Sequence, residues 1–573
     1  MELTCGEVLA KSLKKEGVKF VFGVPGGQLF PFTEAVSRED GMEVITTRHE
    51  ENAAHMADAV SRLTGTIGVC FGTTGPGATN LLPGVAAAYA DSIPLLAITP
   101  NNQTFCTYPF IGSLQDGDHK NLYNPITKWN AVVQDWKRIP ELVHTAFRQA
   151  LSGRPGPVHL DIPSDIMFSK GSLEAFPEPR SYRAHGRPRA DYDLIEKAFK
   201  MLQSAQRPLL LAGGGVVQSE AWEEFFQFVK ATGIPATTTP MGAGCVPADF
   251  EGFFGTGGWL GGNAVVKALQ EADVVLAIGC RFSTWIGYGR PPIMGGTEQR
   301  IIHVDINSET IGQNTDVALG IVADARAFLQ DMWEIQKGEK QAFKINQKWY
   351  RRLLDEYNAY MKQALEIANT HSEPMNQATV SKEVAEFMDD DAIVTFDGGQ
   401  AMEWSGTFVK IKNPRQKLFT PGMGHLGFGQ PFANAAKLCC PERQVINIAG
   451  DGGFGCTLQE IETAVRYKLN VINVISDDRA WGMIKGGQMA LYNNPVGVDL
   501  SDANYAEIAR GFGAYGERVT DPIEIKPALR RALESGKPAI IDVITQTTGH
   551  LVDQYWVTLV LNQCQLPIPV EPE

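Results

Sequence analysis

The sequence predicts an α/β protein of three doubly wound domains, each built on a parallel sheet. Short β-branched runs alternate with segments of helical apolar spacing, the pattern of parallel strands joined by right-handed crossovers. Several runs end in glycine, as they do where ligands bind beyond the carboxyl ends of strands. The alternation is interrupted twice, by residues 171–191, rich in Pro, Arg and Gly, and by the charged helical stretch 340–367. A length of 573 residues also suits about three domains. The expected units are 1–170, 190–335 and 375–550, followed by a tail at 551–573.

In the first unit, Leu9 and Leu13 give helical spacing, Gly17 ends the helix, and residues 18–22 read as a strand. The opening stretch is an amphipathic helix, not a signal peptide. Gly23-Val24-Pro25-Gly26-Gly27-Gln28 then forms a loop that a ligand can approach closely. Residues 43–47 are a second strand, followed by Arg48-His49-Glu50 and a helix through Arg62. His49-Glu50 with His55 is not a zinc-peptidase motif, because helical His-Glu-x-x-His needs the second histidine four residues on. Residues 69–71 end in Gly72-Thr73-Thr74-Gly75-Pro76-Gly77-Ala78-Thr79-Asn80, residues 94–99 are a fourth strand, and 158–162 close the sheet. His119 and Lys128 are candidates to support a site from behind it, and taken alone each reads as a surface residue.

The middle unit has strands at 208–211, 234–238, 274–278 and 301–304. Gly213-Gly214-Gly215 follows the first of them, but no full Gly-x-Gly-x-x-Gly completes a dinucleotide fingerprint. The third unit opens with a strand at 392–396 and the turn Gly398-Gly399-Gln400-Ala401, then Gly422-Met423-Gly424-His425-Leu426-Gly427. Residues 445–449 are an apolar strand ending in Gly450-Asp451-Gly452-Gly453. Thr457 and Glu460 have capping-box spacing for a helix to Lys468, and the strand 471–476 runs into Asp477-Asp478. If those two strands are neighbours, Asp451 and Asp478 lie roughly 5 Å apart. Two such carboxylates repel unless a hard cation sits between them, and Mg²⁺ or Ca²⁺ fits oxygen ligands. The glycines leave room for a diphosphate.

Composition narrows the class. A hydrophobic content of 44% with 20% charged residues is ordinary for a soluble globular protein, and a net charge of −14 argues against nucleic acid as a partner. No run of 18 apolar residues calls for a membrane span. Nine cysteines without a Cys-x-x-Cys suggest reduced thiols and a cytoplasmic location.

Gly450-Asp451-Gly452 with Asp477-Asp478 one crossover later resembles the cofactor motif of the thiamine-diphosphate enzymes in the acetolactate synthase, benzaldehyde lyase and pyruvate decarboxylase superfamily. Arg48-His49-Glu50 and the block 75–80 resemble that family's pyrimidine-binding half. The resemblance implies a pyrimidine-binding first domain, a Rossmann-like centre and a diphosphate-binding third domain. It implies thiamine diphosphate and Mg²⁺, the ion held by Asp451, Asp478 and the Ala480 carbonyl. The family usually carries two asparagines where this chain has Asp477-Asp478. Glu50 would hydrogen-bond the aminopyrimidine nitrogen, with Pro76 and Asn80 beside it. Gly399, Gln400, Ala401, Gly452 and Gly453 would line the diphosphate. Leu426 would bend the coenzyme, and the Gly424 carbonyl would accept from its amino group.

Leu114-Gln115-Asp116-Gly117 and 125–129 resemble benzaldehyde lyase, and more loosely acetolactate synthase, which implies that Gln28 and Gln115 face the reacting carbons. His425, unusual beside such a site, is a candidate acid–base group because histidine titrates near neutrality. Gly27, Trp285, Trp404, Trp481, Met483 and Ile484 would line the substrate pocket. Arg281-Phe282 and His303-Val304-Asp305 match landmarks of the FAD-holding centre of acetolactate synthases, leaving FAD, an ADP moiety or nothing as its occupant. Where those enzymes carry two aspartates and an arginine that holds an acidic acceptor, this chain has Ser283-Thr284-Trp285, which argues against a second 2-oxo acid as acceptor. The function implied is a carboligase or decarboxylase of small 2-oxo acids or aldehydes. The alternatives are a lyase of 2-hydroxy ketones or 2-hydroxyacyl thioesters, and an inactive binding paralogue. Sites shared across a homodimer, within a homotetramer, are implied. The tail would be a lid or a subunit contact.

Overall fold

The computed structural model describes residues 2–173, 176–296, 298–339 and 342–553. The tail expected at 551–573 therefore lies almost wholly outside the described residues. Its first residues pack inward: Val552 is buried, and the His550 ring meets Trp404 edge-on at 4.4 Å.

Three parallel sheets carry the fold. The first has six strands in the order Glu43–Thr46, Phe20–Gly23, Gly68–Phe71, Leu95–Asn101, Val158–Pro163, Trp129–Val132. Val158–Pro163 was expected to close this sheet, but Trp129–Val132 pairs outside it. That edge strand is only half-buried, so it lacks the apolar run of the interior strands. The second sheet orders Phe253–Thr256, Ala236–Thr238, Pro208–Ala212, Val274–Ile278, Arg300–Asp305, Leu319–Val322. Its two edges were likewise not foreseen. The third runs Met375–Asn376, Ala539–Gln546, Ile472–Asp477, Val445–Gly450, Ile393–Asp397, Lys417–Leu418, with Tyr515–Val519 also paired to Ala539–Gln546.

Two local expectations need correction. Thr457 does not cap a helix start: it ends the helix Asp451–Thr457, and its hydroxyl donates to the Gly427 carbonyl at 2.6 Å. A separate helix, Glu460–Arg466, follows. The segment 171–191 is not a free linker either. Lys170–Ser172 pairs antiparallel with Glu2–Thr4, Tyr182 stacks on His144 at 4.1 Å, and Arg183 pairs with Glu16.

The first and third domains share one core. The helix Glu50–Thr64 packs on the helix Gly429–Cys439, and a single apolar cluster runs from Phe22, Ala53 and Ala57 through Phe432 and Ala436 to Ile446. Alanines on both helices allow the close approach. Polar bonds fix the register at the helix start. Glu460 Oε1 accepts from the Arg48 N–H and from Asn52 Nδ2, each at 2.8 Å, and the Tyr467 hydroxyl accepts from the Thr46 N–H at 2.8 Å. At the far end, buried Arg62 pairs with Asp58 and with Asp91 (2.8 Å) and donates to the Phe419 carbonyl at 2.7 Å.

Removing Arg62 strands two buried carboxylates. Arg62→Met should lower stability by about 3–5 kcal/mol, read as a urea midpoint by tryptophan fluorescence. An unshifted midpoint would show that this joint carries no stability.

Candidate active site

Glu50 lies in the first turn of its helix, 7% exposed. Asn80, at the end of the short helix Pro76–Asn80, donates to Glu50 Oε2 at 3.0 Å. The other oxygen lies over Gly77, where a side chain's Cβ would approach Oε1 to 3.1 Å. Gly75 turns the chain at φ +68, a conformation glycine adopts without strain. A buried relay holds that turn: Asp161 Oδ1 accepts from His119 Nδ1 at 2.9 Å, and His119 Nε2 accepts from the Gly75 N–H at 3.1 Å. His119 is thus fully buried and positions the loop, contrary to its surface reading. Lys128 instead caps the helix Ile139–Leu151, donating to the Gln149 and Ser152 carbonyls.

Gln28 and Gln115 flank the same loop. Gln28 Oε1 accepts from Thr73 at 3.0 Å, and Gln115, itself at φ +62, lies against Gly75. Gly27 is exposed beside Gln28.

The third domain presents a second constellation at its strand ends. Gly450 pairs with Ser476 in the register, so the residues that follow, Asp451 and Asp478, come together as the crossover rule requires. Burial, then the charges of Asp478 and Asp477, push the Asp451 carboxyl well up. Burial also raises Asp478. Strand alternation sends Asp477 to the other face, where it meets buried Asp542 under Arg518. Among the described residues Asp478 Oδ2 and Gln400 Oε1 are buried with no hydrogen-bond partner, and a Cβ on Gly482 would lie between them.

The surrounding glycines are required by close approach. A Cβ on Gly399 would come within 2.7 Å of Met483 Cβ, one on Gly452 within 2.7 Å of the Trp481 ring, and one on Gly453 within 3.0 Å of Asp397 Oδ1. Ala480 is buried and bridges to Asp499. One buried and one half-buried carboxylate, a backbone carbonyl two residues on, an amide oxygen without a partner among the described residues and a bare glycine floor form a donor set that fits a hard divalent ion carrying a diphosphate. Ala401 begins the helix behind this floor.

Asp397 was not singled out from the sequence, because an acid at the end of an apolar run has no distinctive spacing. It is fully buried and accepts from the Gly427 and Gly429 N–H groups at 3.2 and 2.9 Å, holding the loop that carries Leu426. Gly424 takes φ +61, and Leu426 is half-buried. His425 Nδ1 lies 2.7 Å from the Leu426 carbonyl.

The expected pocket residues divide. Trp481 and Met483 cover the glycine floor, and Ile484 is 56% exposed beside them. Trp404 does not line a pocket: it is 0% exposed, among Ala364, Ala378 and Phe408. Its large apolar ring is used as core. Trp285 donates to the Pro421 carbonyl at 2.9 Å and lines a different cavity, of about 640 Å³, between the central domain and residues such as Arg154 of the first domain and Gly422 of the third. Arg154, Arg187, Arg281 and Asp305 line that cavity, beside the turn where Gly213 and Gly215 touch the Gly279 backbone.

Three family models match the chain in order. The N-terminal TPP binding domain of thiamine pyrophosphate enzymes covers residues 3–119, the central domain 195–332, and the C-terminal TPP binding domain 397–543. A probable acetolactate synthase large subunit of Methanocaldococcus jannaschii is 37% identical across 94% of this chain and 91% of its own length. The acetolactate synthase isozyme 3 large subunit of Escherichia coli is 30% identical across 97% and 99%, and the large subunit of Corynebacterium glutamicum is 32% identical across 95% and 87%.

Asp397 makes a pH test available. Burial raises its carboxyl from 3.8 to about 6, so the folded chain holds a proton that the unfolded chain releases. That contribution to stability is complete below 3.8 and is lost as pH rises through about 6. Asp397→Asn should therefore gain stability relative to the parent as pH rises across this window, measured by urea midpoints. A constant difference would place the titration elsewhere.

Proposed function

The chain belongs to the thiamine pyrophosphate enzymes and is acetolactate-synthase-like over nearly its whole length, and from that premise we propose how its own residues work. The reading is a thiamine-diphosphate- and Mg²⁺-dependent carboligase whose donor is a small 2-oxo acid. The observation that carries it is the pairing, in one chain, of a buried Glu50 held by Asn80 with the Asp451–Asp478 carboxylates beside unpartnered oxygens.

Asp451, Asp478 and the Ala480 carbonyl hold the ion. Gly399, Gln400, Gly452 and Gly453 admit the diphosphate. When bound, the coenzyme supplies a nucleophilic carbon that attacks a carbonyl and accepts the electrons released when the adjacent C–C bond breaks. Glu50 exchanges a proton with the aminopyrimidine nitrogen, and Asn80 keeps its carboxylate aimed. Leu426 and the Gly424 carbonyl set the coenzyme's bend. Gln28 and Gln115, anchored to the Thr73–Gly75 turn, orient the carbonyl oxygens of the substrate.

The site is shared across a homodimer, Glu50 of one chain serving the ion site of another, with a homotetramer as the larger assembly. The central cavity, lined by arginines and bare glycines, takes an anionic nucleotide group, FAD or ADP, and the absorption spectrum of the purified protein separates the two. A lyase reading rests on Trp285, which offers no charge to an acceptor carboxylate.

Turnover tests the whole. With thiamine diphosphate and Mg²⁺, pyruvate should release CO₂ and yield a condensed 2-hydroxy-3-oxo acid. Glu50→Gln should reduce this by roughly 100-fold or more. Mixing Glu50→Gln with Asp478→Ala chains should restore about a quarter of the parent activity if sites are shared between subunits. Cleavage of 2-hydroxy ketones without condensation would favour the lyase, and no recovery on mixing would place each site within one chain.

A further inference from the structure

A second constellation lies beside the site and is used by nothing above. Glu51 and His55 sit one turn apart on the helix Glu50–Thr64, and His425 reaches them from the loop before Leu426. One ligand-capable atom of each lies within 4.8 Å of the others. Glu51 Oε1 is 3.4 Å from His425 Nε2 and 3.8 Å from His55 Nε2. Ligand atoms about 2.0–2.2 Å from a tetrahedral zinc are spaced roughly 3.3–3.6 Å apart, so these separations need little adjustment.

Two features make this more than a polar cluster. His55 is 0% exposed, yet among the described residues neither of its ring nitrogens has a hydrogen-bond partner within 3.5 Å. Burying an imidazole that way is costly unless something else satisfies it. His425 has its Nδ1 against the Leu426 carbonyl at 2.7 Å, which selects the tautomer with the Nδ1 proton and leaves the Nε2 lone pair facing Glu51. A backbone carbonyl behind a ligating histidine is the usual support in metal sites. The two rings are tilted by 61° at 4.9 Å, so they converge without stacking. Burial also lowers the His55 pKa, keeping it in the neutral form that ligates.

We propose that Glu51, His55 and His425 bind a divalent transition-metal ion of the zinc class, distinct from the oxygen-ligated Mg²⁺ of the diphosphate site. Two imidazoles and one carboxylate suit zinc, cobalt, nickel or iron(II) and are a poor set for Mg²⁺. The ion would tie the loop carrying Leu426 to the helix that carries Glu50, joining the first and third domains beside the coenzyme.

The test uses full-length protein stripped by chelator, dialysed, held in excess Mg²⁺ and titrated with Co²⁺ alone. Parent protein should retain about one Co²⁺ per chain with the visible absorption of a four- or five-coordinate ion, displaced by Zn²⁺. Asp478→Asn should keep that band, while His425→Asn and His55→Gln should lose it. His425 is partly exposed, so its variant decides the matter if His55→Gln does not fold. A parent that retains no Co²⁺ under Mg²⁺, or a His425→Asn protein with an unchanged band, overturns the proposal.

Discussion

The mutual repulsion of Asp451 and Asp478 is the constraint around which this molecule is arranged. Neighbouring parallel strands bring the two carboxylates to one sheet edge, and burial leaves little water to screen them. Such a pair persists in a fold only as a partly protonated couple or as a cation site. Little bulk is added near it: Gly452 lies bare under Trp481, Gly399 is bare under Met483, and among the described residues Gln400 Oε1 and Asp478 Oδ2 have no hydrogen-bond partner. A stable core built for packing alone would fill that space or pair those oxygens.

The opposite wall is built on one helix. Residues Glu50–Thr64 bury an alanine-rich face against the third domain, and Arg62 and the Glu460 contacts anchor the two ends. This leaves Glu50 buried at the helix start with Asn80 fixing one oxygen. Loops in both domains are held by buried acids in the same way: Asp161 through His119 to Gly75 in the first, and Asp397 to Gly427 and Gly429 in the third. Each relay uses a buried acid to immobilise backbone beside the site, which is how small shifts in loop position are suppressed where geometry controls rate.

Interior strands were legible because, covered on both faces, they read as unbroken apolar runs, as in 95–99, 274–278 and 471–476. Edge strands such as Trp129–Val132 and Phe253–Thr256 were not, since partial exposure removes that run. Motifs placed Asp451, Asp478 and Glu50 because their glycines and spacing are distinctive. Positioning residues were harder: His119 was named but favoured for the surface, and nothing in the sequence marks Asp161 or Asp397, whose partners lie dozens of residues away. Thr457 and Glu460 had capping-box spacing but were recruited by Gly427 and by the first domain, a tertiary demand overriding a local signal. Trp404 failed as a pocket residue because a large ring after a glycine turn serves a core as readily as a ligand. The resemblance implied Asp478 rather than Asp477, and the strand gives a physical reason, since Asp477 turns to the face that carries Arg518.

Coenzyme binding followed by the fluorescence of Trp481, whose ring covers Gly452, tests the central claim most directly. The account predicts that thiamine diphosphate changes this emission only when Mg²⁺ is present, and that Asp478→Ala abolishes the change. Equal binding without Mg²⁺, or an undiminished response in Asp478→Ala, would contradict it.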